Sequence, residues 1–212
     1  MIVEDISVVR AGSEVARADA AVVMIHGRGA SAEGMLGLAG EFAVPGIACV
    51  APQAPTSSWY PYSFLAPLAQ NEPALSEALA RVDHVVTDVV AQGVPRERIV
   101  LLGFSQGACL ALEYAARNAQ RWGGVVAMSG GLIGPDGTPR NYAGSLDGTP
   151  VFLGCSDVDS HIPLNRVHES ADVMSKLGGN VTKRIYPGMG HTIVADEVAR
   201  VQQLLRSFAA AV

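Results

Sequence analysis

Gly103-Phe104-Ser105-Gln106-Gly107 closes an aliphatic run, Ile99-Val100-Leu101-Leu102, and a helical pattern follows at once. A strand that turns sharply into a helix leaves one serine at the apex. Glycines two positions to either side suit so tight a turn. A side chain at 103 or 107 would collide with the neighbouring strand or helix, and the serine itself is pushed into a strained conformation. A serine presented in this way could attack a carbonyl carbon, but a hydroxyl is a poor nucleophile unaided. In a chain with 23 glycines the pattern alone carries little weight. A base, an acid and hydrogen-bond donors for an oxyanion must come from elsewhere.

Three further stretches supply candidates: His26-Gly27-Arg28-Gly29-Ala30-Ser31, Asp157-Val158-Asp159-Ser160-His161-Ile162-Pro163, and Pro187-Gly188-Met189-Gly190-His191. Each follows an apolar segment. Of the five histidines, His84 and His168 fall within helical patterns and follow no strand. His191 is the expected base, with His161 its one serious competitor and otherwise a residue of the pocket wall. Two carboxylates compete for the acid. Asp157 lies closer to Gly154, whereas Asp159 lies closer to Ile162-Pro163, where a proline fixes the entry to the next helix. The proline anchor favours Asp159 and leaves Asp157 open.

The elements that must position these groups are legible as alternating strands and helices. Residues 2–10 read as an edge strand with a turn at Gly12. Ala20–Ile25, Ile47–Ala51, 99–102, Val125–Met128 and Val151–Leu153 are continuously apolar, as strands buried on both faces are. Val181–Tyr186 completes the set. Helical patterns cover Ala32–Phe42, a stretch opening at Glu72-Pro73 and closing before Gly93, the stretch after Ser105 to about Asn118, 164–177, and the C-terminus. This predicts one α/β domain over residues 1–212, with a mainly parallel sheet and helices on both faces. In such sheets, sites form beyond the carboxyl ends of the strands, where Ser105, His191, Asp159 and the His26–Ala30 turn all lie. Residues 52–73 break the alternation with prolines and aromatics. Trp59, Tyr60 and Phe64 there are pocket candidates, although they could equally serve to pack the loop down.

Gly-Phe-Ser-Gln-Gly, the early His-Gly-x-Gly, the Asp-x-x-Ile-Pro stretch and the late Gly-x-Gly-His together resemble the phospholipase/carboxylesterase family of α/β-hydrolases. The likeness runs from about residue 20 to the C-terminus. It implies the α/β-hydrolase fold and an ester hydrolase that works through an acyl-enzyme. In that scheme Ser105 attacks, His191 moves the proton and Asp159 orients the imidazole. The backbone N–H groups of Arg28 and Gln106 would bind the oxyanion, a single such donor being worth about 3–4 kcal/mol. Small to medium acyl esters are the expected substrates, with thioesters or lysophospholipids of longer acyl chain as the alternative. A non-catalytic receptor on a hydrolase fold is the rival of another class. The resemblance brings no cofactor and no metal, and it is compatible with a homodimer. Many members carry an apolar residue and an acid where this chain has Arg28 and Ala30.

Bulk properties remove other classes. Fifteen Lys and Arg against twenty Asp and Glu, a net charge of −5, contain no block that would attract nucleic acid or an anionic membrane. Cys49, Cys109 and Cys155 sit in or beside apolar runs and read as small buried residues. No apolar run approaches the roughly 18 residues of a spanning helix. The first residues show no basic, apolar leader. A cytoplasmic location without membrane insertion is the expectation.

Overall fold

The computed structural model describes residues 7–42 and 44–209. Its elements are, in chain order, β1 (Val8–Gly12), β2 (Ala20–Ile25), α1 (Ala32–Phe42), β3 (Ile47–Pro52), α2 (Leu68–Asn71), α3 (Ala74–Ala91), β4 (Ile99–Phe104), α4 (Gln106–Arg117), β5 (Gly124–Met128), β6 (Pro150–Ser156), α5 (Leu164–Lys176), β7 (Asn180–Tyr186) and α6 (Ala195–Ala209). Seven strands form one sheet in the order β1-β3-β2-β4-β5-β6-β7. β1 runs antiparallel to β3, and every other pairing is parallel. The expected edge strand is thus present over 8–12, and residues 2–6 of it lie outside the described residues.

Side chains of a strand alternate between faces, and the core follows that alternation. In β4, Ile99 and Leu101 pack with α3, α4 and α5, whereas Val100 and Leu102 pack with α1 and α6. β2 divides in the same way, with Ala21, Val23 and Ile25 on the first face and Ala20, Val22 and Met24 on the second. Central strands must therefore be apolar throughout. β7, at the edge, is half-exposed and tolerates Lys183 and Arg184. Every residue of α4 except Arg117 is buried, so this helix passes through the interior with no solvated face.

Register brings the carboxyl ends together. From β2 the chain passes to β3 on one side and later returns to β4 on the other, so the order reverses at β2 and opens a crevice there. Ile25 pairs with Gly103, which sets the turn after β2 beside the turn after β4. Phe104 pairs with Met128 and Met128 with Gly154. Cys155 and Ser156 pair with Ile185 and Tyr186. The loops holding Asp159 and His191 therefore leave neighbouring strands at the same level.

Candidate active site

Ser105 stands between β4 and α4 with φ 55° and ψ −120°, a left-handed conformation that a non-glycine residue adopts only when its surroundings enforce it. The Ser105 N–H donates to the Met128 carbonyl at 3.0 Å, and the Ser105 carbonyl accepts from Cys109 N–H at 3.0 Å. These bonds fix the turn from both sides. The hydroxyl lies 2.8 Å from His191 Nε2. On the far side of the ring, Nδ1 lies 2.7 Å from Asp159 Oδ2. His191 is held by a loop that Ser156 Oγ and Asp157 Oδ1 fasten through the N–H groups of Gly190 and Gly188.

The Asp159 side chain is wholly buried. Its Oδ1 accepts the backbone N–H groups of His161 (2.8 Å) and Ile162 (3.0 Å), and the Cys155 thiol approaches Oδ2 at 3.7 Å. Burial opposes ionisation, but the hydrogen bonds from His191, His161 and Ile162 outweigh it and hold the carboxyl below its ordinary value. Asp157 is exposed and does not reach the imidazole; its Oδ1 accepts from Gly188 at 2.8 Å. Of the two carboxylates, then, the structure sets Asp159 against His191.

A cavity of about 600 Å³ opens over Ser105, with Tyr60, Phe64, Phe104, Cys109 and Ile162 among its lining residues. Arg28, Gln106, His161 and His191 also face it. The imidazole of His161 stands edge-on to that of His191, centroids 4.6 Å apart. Trp59 is a correction: it does not line this cavity. It is 2% exposed, its indole N–H donates to the His26 carbonyl at 2.8 Å, and its ring packs on the His26 imidazole. An indole buried among such partners holds the loop down, away from the cavity over Ser105. Tyr60 and Phe64 line the cavity but are almost wholly buried themselves.

His26 fastens the first turn. One nitrogen lies against the Gly27 carbonyl (2.7 Å) and the other accepts Ala54 N–H (3.1 Å), an arrangement that suits the neutral ring, and burial lowers its pKa. Gly27 follows, and a Cβ there would lie 3.3 Å from Ser105 Cβ. The Arg28 peptide thereby sits next to the serine. Gln106 is the first residue of α4, and the first N–H groups of a helix have no intrahelical acceptor. Both backbone donors expected for an oxyanion thus flank Ser105.

Sequence reading missed what the side chains of these two residues do. Arg28 Nη1 donates to Ser58 Oγ (3.0 Å) and the Pro61 carbonyl (2.8 Å), and Nη2 donates to the Tyr62 carbonyl (2.7 Å). Gln106 Oε1 accepts Trp59 N–H (3.0 Å), and Nε2 donates to the Tyr60 carbonyl (2.9 Å). Asn71, buried in α2, adds bonds to Tyr62 N–H and the Ser63 carbonyl. The three cysteines are buried and unbridged, and burial pushes the thiols of Cys109 and Cys155 up to about 12. None is a ready nucleophile.

The sequence matches the phospholipase/carboxylesterase family over residues 5–209. The chain belongs to that family. A phospholipase/carboxylesterase of known structure from Dyadobacter fermentans is 45% identical to it, with a TM-score of 0.92 over 97% of this chain and 99% of that one. The structure of esterase PE8 superposes with a TM-score of 0.82 at 26% identity, over 96% of this chain and 99% of its own. Acyl-protein thioesterase 1 of Yarrowia lipolytica is 29% identical over 201 residues, which is 86% of this chain and 88% of that protein. The fold is that of the α/β-hydrolases, and the chain is an ester hydrolase of the serine-hydrolase kind. No described helix is long and apolar enough to cross a membrane.

Behind the His191 loop lies a second buried carboxyl. Glu197, wholly buried in the first turn of α6, accepts Val194 N–H at 2.9 Å and so caps the helix three residues beyond His191. Burial raises its pKa from 4.5 to about 7. The native state therefore holds this proton more tightly than the unfolded chain does. Stability is full below about pH 4.5 and falls as pH rises through 7. At about 1.4 kcal/mol per pH unit the loss approaches about 3 kcal/mol by pH 8. Glu197→Gln, which keeps the acceptor and cannot ionise, should be more stable than wild type at pH 8 by up to that amount and indistinguishable from it near pH 4. Urea melts at the two pH values measure both, and equal stability at pH 8 would show that the carboxylate is solvated.

Proposed function

We propose that this hydrolase cleaves carboxylic esters of small to medium acyl groups through a Ser105-His191-Asp159 triad. The observation that carries the reading is the unbroken hydrogen-bonded line from Ser105 Oγ through His191 to Asp159, opening on the 600 Å³ cavity. With His191 Nδ1–H directed at Asp159, Nε2 has its lone pair free for the serine proton. Oγ bonds to the ester carbonyl carbon as that proton passes to Nε2. The oxygen that becomes negative takes hydrogen bonds from the N–H groups of Arg28 and Gln106. Collapse breaks the bond to the leaving alcohol, which carries away the proton held on His191. Water, deprotonated by the same nitrogen, then attacks the acyl-Ser105 carbonyl; the bond to Oγ breaks, Oγ takes the proton back from His191, and the acid leaves.

Apolar side chains line the cavity, Tyr60 and Phe64 of the loop segment 60–64 among them. Each methylene that still finds apolar wall adds about 0.8 kcal/mol, or roughly fourfold in kcat/KM. In an aryl-ester series that varies only in acyl length, kcat/KM should climb by about that step, peak at a short or medium chain, and fall. The thioesterase relative supports a second reading, in which longer acyl thioesters are cleaved. A rise continuing to long chains, and faster turnover of a matched thioester, would favour it. A fluorophosphonate should label Ser105 alone and abolish turnover; full activity after labelling would sink the triad reading.

A further inference from the structure

Both oxyanion donors belong to residues whose side chains grip the same short segment. The Arg28 guanidinium reaches Ser58, Pro61 and Tyr62, and the Gln106 carboxamide reaches Trp59 and Tyr60. Gly29 N–H adds a bond to the Ser57 carbonyl at 2.7 Å. Ahead of the gripped residues, Thr56 and Ser57 both hold left-handed backbone, φ 48° and 58°. Two consecutive non-glycine residues in that region stay there only where surrounding contacts over-determine them.

Arg28 pairs with no carboxylate among the described residues. Its charge is directed instead at neutral oxygens on three residues, a spread that a planar guanidinium can meet and a single ammonium cannot. The side chain also passes over the Tyr60 ring, 5.9 Å from its centroid. An apolar residue here would leave the segment attached to the turn only through Gly29 N–H and the bond from the Trp59 indole to the His26 carbonyl.

We propose that Arg28 is a positioning residue for the oxyanion hole. By strapping Ser58–Tyr62 to the turn that carries its own N–H, it makes the pocket wall and the two oxyanion donors one rigid piece. The Gln106 side chain closes the unit from the α4 side. This inference rests on the triad reading above, because the donors matter only if Ser105 forms a tetrahedral adduct. It goes further in giving the guanidinium, and not only the peptide of residue 28, a part in stabilising that adduct.

The test compares wild type with Arg28→Met, Arg28→Lys and Ser58→Ala, using a short-chain aryl ester and an alkyl boronic acid that forms a tetrahedral adduct on the serine. Misplacement of donors by a fraction of an ångström should lower kcat of Arg28→Met by roughly 10- to 100-fold. Boronate affinity should fall by the same factor, and KM should stay within about threefold. Arg28→Lys should lie between, and Ser58→Ala should lose at least about threefold in both kcat and boronate affinity. The proposal is overturned if kcat of Arg28→Met stays within threefold of wild type, or if it falls while boronate affinity does not. It is also overturned if the loss sits in KM with the preferred acyl length moving, since Arg28 would then only shape the pocket. If Arg28→Met fails to fold, Ser58→Ala decides: unchanged kcat and boronate affinity there overturn the proposal. Failure of the triad reading itself would appear separately, as wild-type protein whose Ser105 takes up neither boronate nor fluorophosphonate.

Discussion

Asp159→Asn should lower turnover of an aryl ester by about 10⁴-fold, whereas Asp157→Asn should change it by less than about threefold. The difference comes from what each carboxylate touches. Asp159 Oδ2 lies 2.7 Å from His191 Nδ1 in a wholly buried position, and its Oδ1 is taken by two backbone N–H groups. Those N–H groups require an acceptor, so the oxygen of an asparagine would turn toward them and its NH₂ would face Nδ1. The imidazole would then carry its proton on Nε2, the nitrogen that in the proposed triad receives the proton of Ser105. Geometry would survive while the tautomer was wrong. Asp157 presents one oxygen to Gly188 N–H at 2.8 Å, and an asparagine oxygen serves that bond as well. Ser105→Ala and His191→Ala set the floor, at about 10⁶-fold below wild type. Steady-state kcat for the four variants measures the order, and a larger loss in Asp157→Asn would transfer the role of acid to that residue.

Most of the fold was legible because its central strands are buried on both faces. β2 and α1 run over the residues that hydrophobic continuity and periodicity predict. β6 extends beyond the expected Val151–Leu153, through Ser156. Its last residues look like loop in composition but pair with Ile185 and Tyr186 of β7, a non-local demand that no short window of sequence displays. The turns at the strand ends were legible too, since glycine spacing around a polar residue is a local signal. The loop at 52–73 was legible only as irregular and aromatic. Trp59 and Tyr60 are adjacent and similar, yet one packs on His26 and the other walls the cavity. Which ring goes where depends on Gln106, more than forty residues away, whose carboxamide holds both of their backbones. Arg28 hid its part for the same reason. A charged residue in a turn reads as solvated surface until its acceptors, thirty or more residues downstream, are known.

Gly107→Ala should destabilise the protein by about 4 kcal/mol or more, a fall of roughly 8–16 °C in Tm for a chain of this size. A Cβ at Gly107 would overlap the Ile25 carbonyl oxygen and lie 2.6 Å from that of His26. Both obstacles are backbone at the carboxyl end of β2, buried on every side, so neither can swing aside as the end of a side chain can. Relief would have to come from α4 moving away from β2, which would separate Ser105 from the His26–Gly29 turn and open the proposed oxyanion site. Activity at low temperature should therefore fall further than the folded fraction does. Two other glycines isolate the cause. Gly29→Ala meets no atom within 4 Å but must hold φ near +75°, which costs about 1–2 kcal/mol. Gly37→Ala, in α1, meets neither obstacle and should stabilise by about 0.5–1 kcal/mol through helix propensity. Thermal melts of the three variants should thus rank 37 above wild type, then 29, then 107. If Gly107→Ala melted with Gly29→Ala, the elbow would have room to open, and the close approach of β2 to α4 could not be what holds the serine against its oxyanion donors.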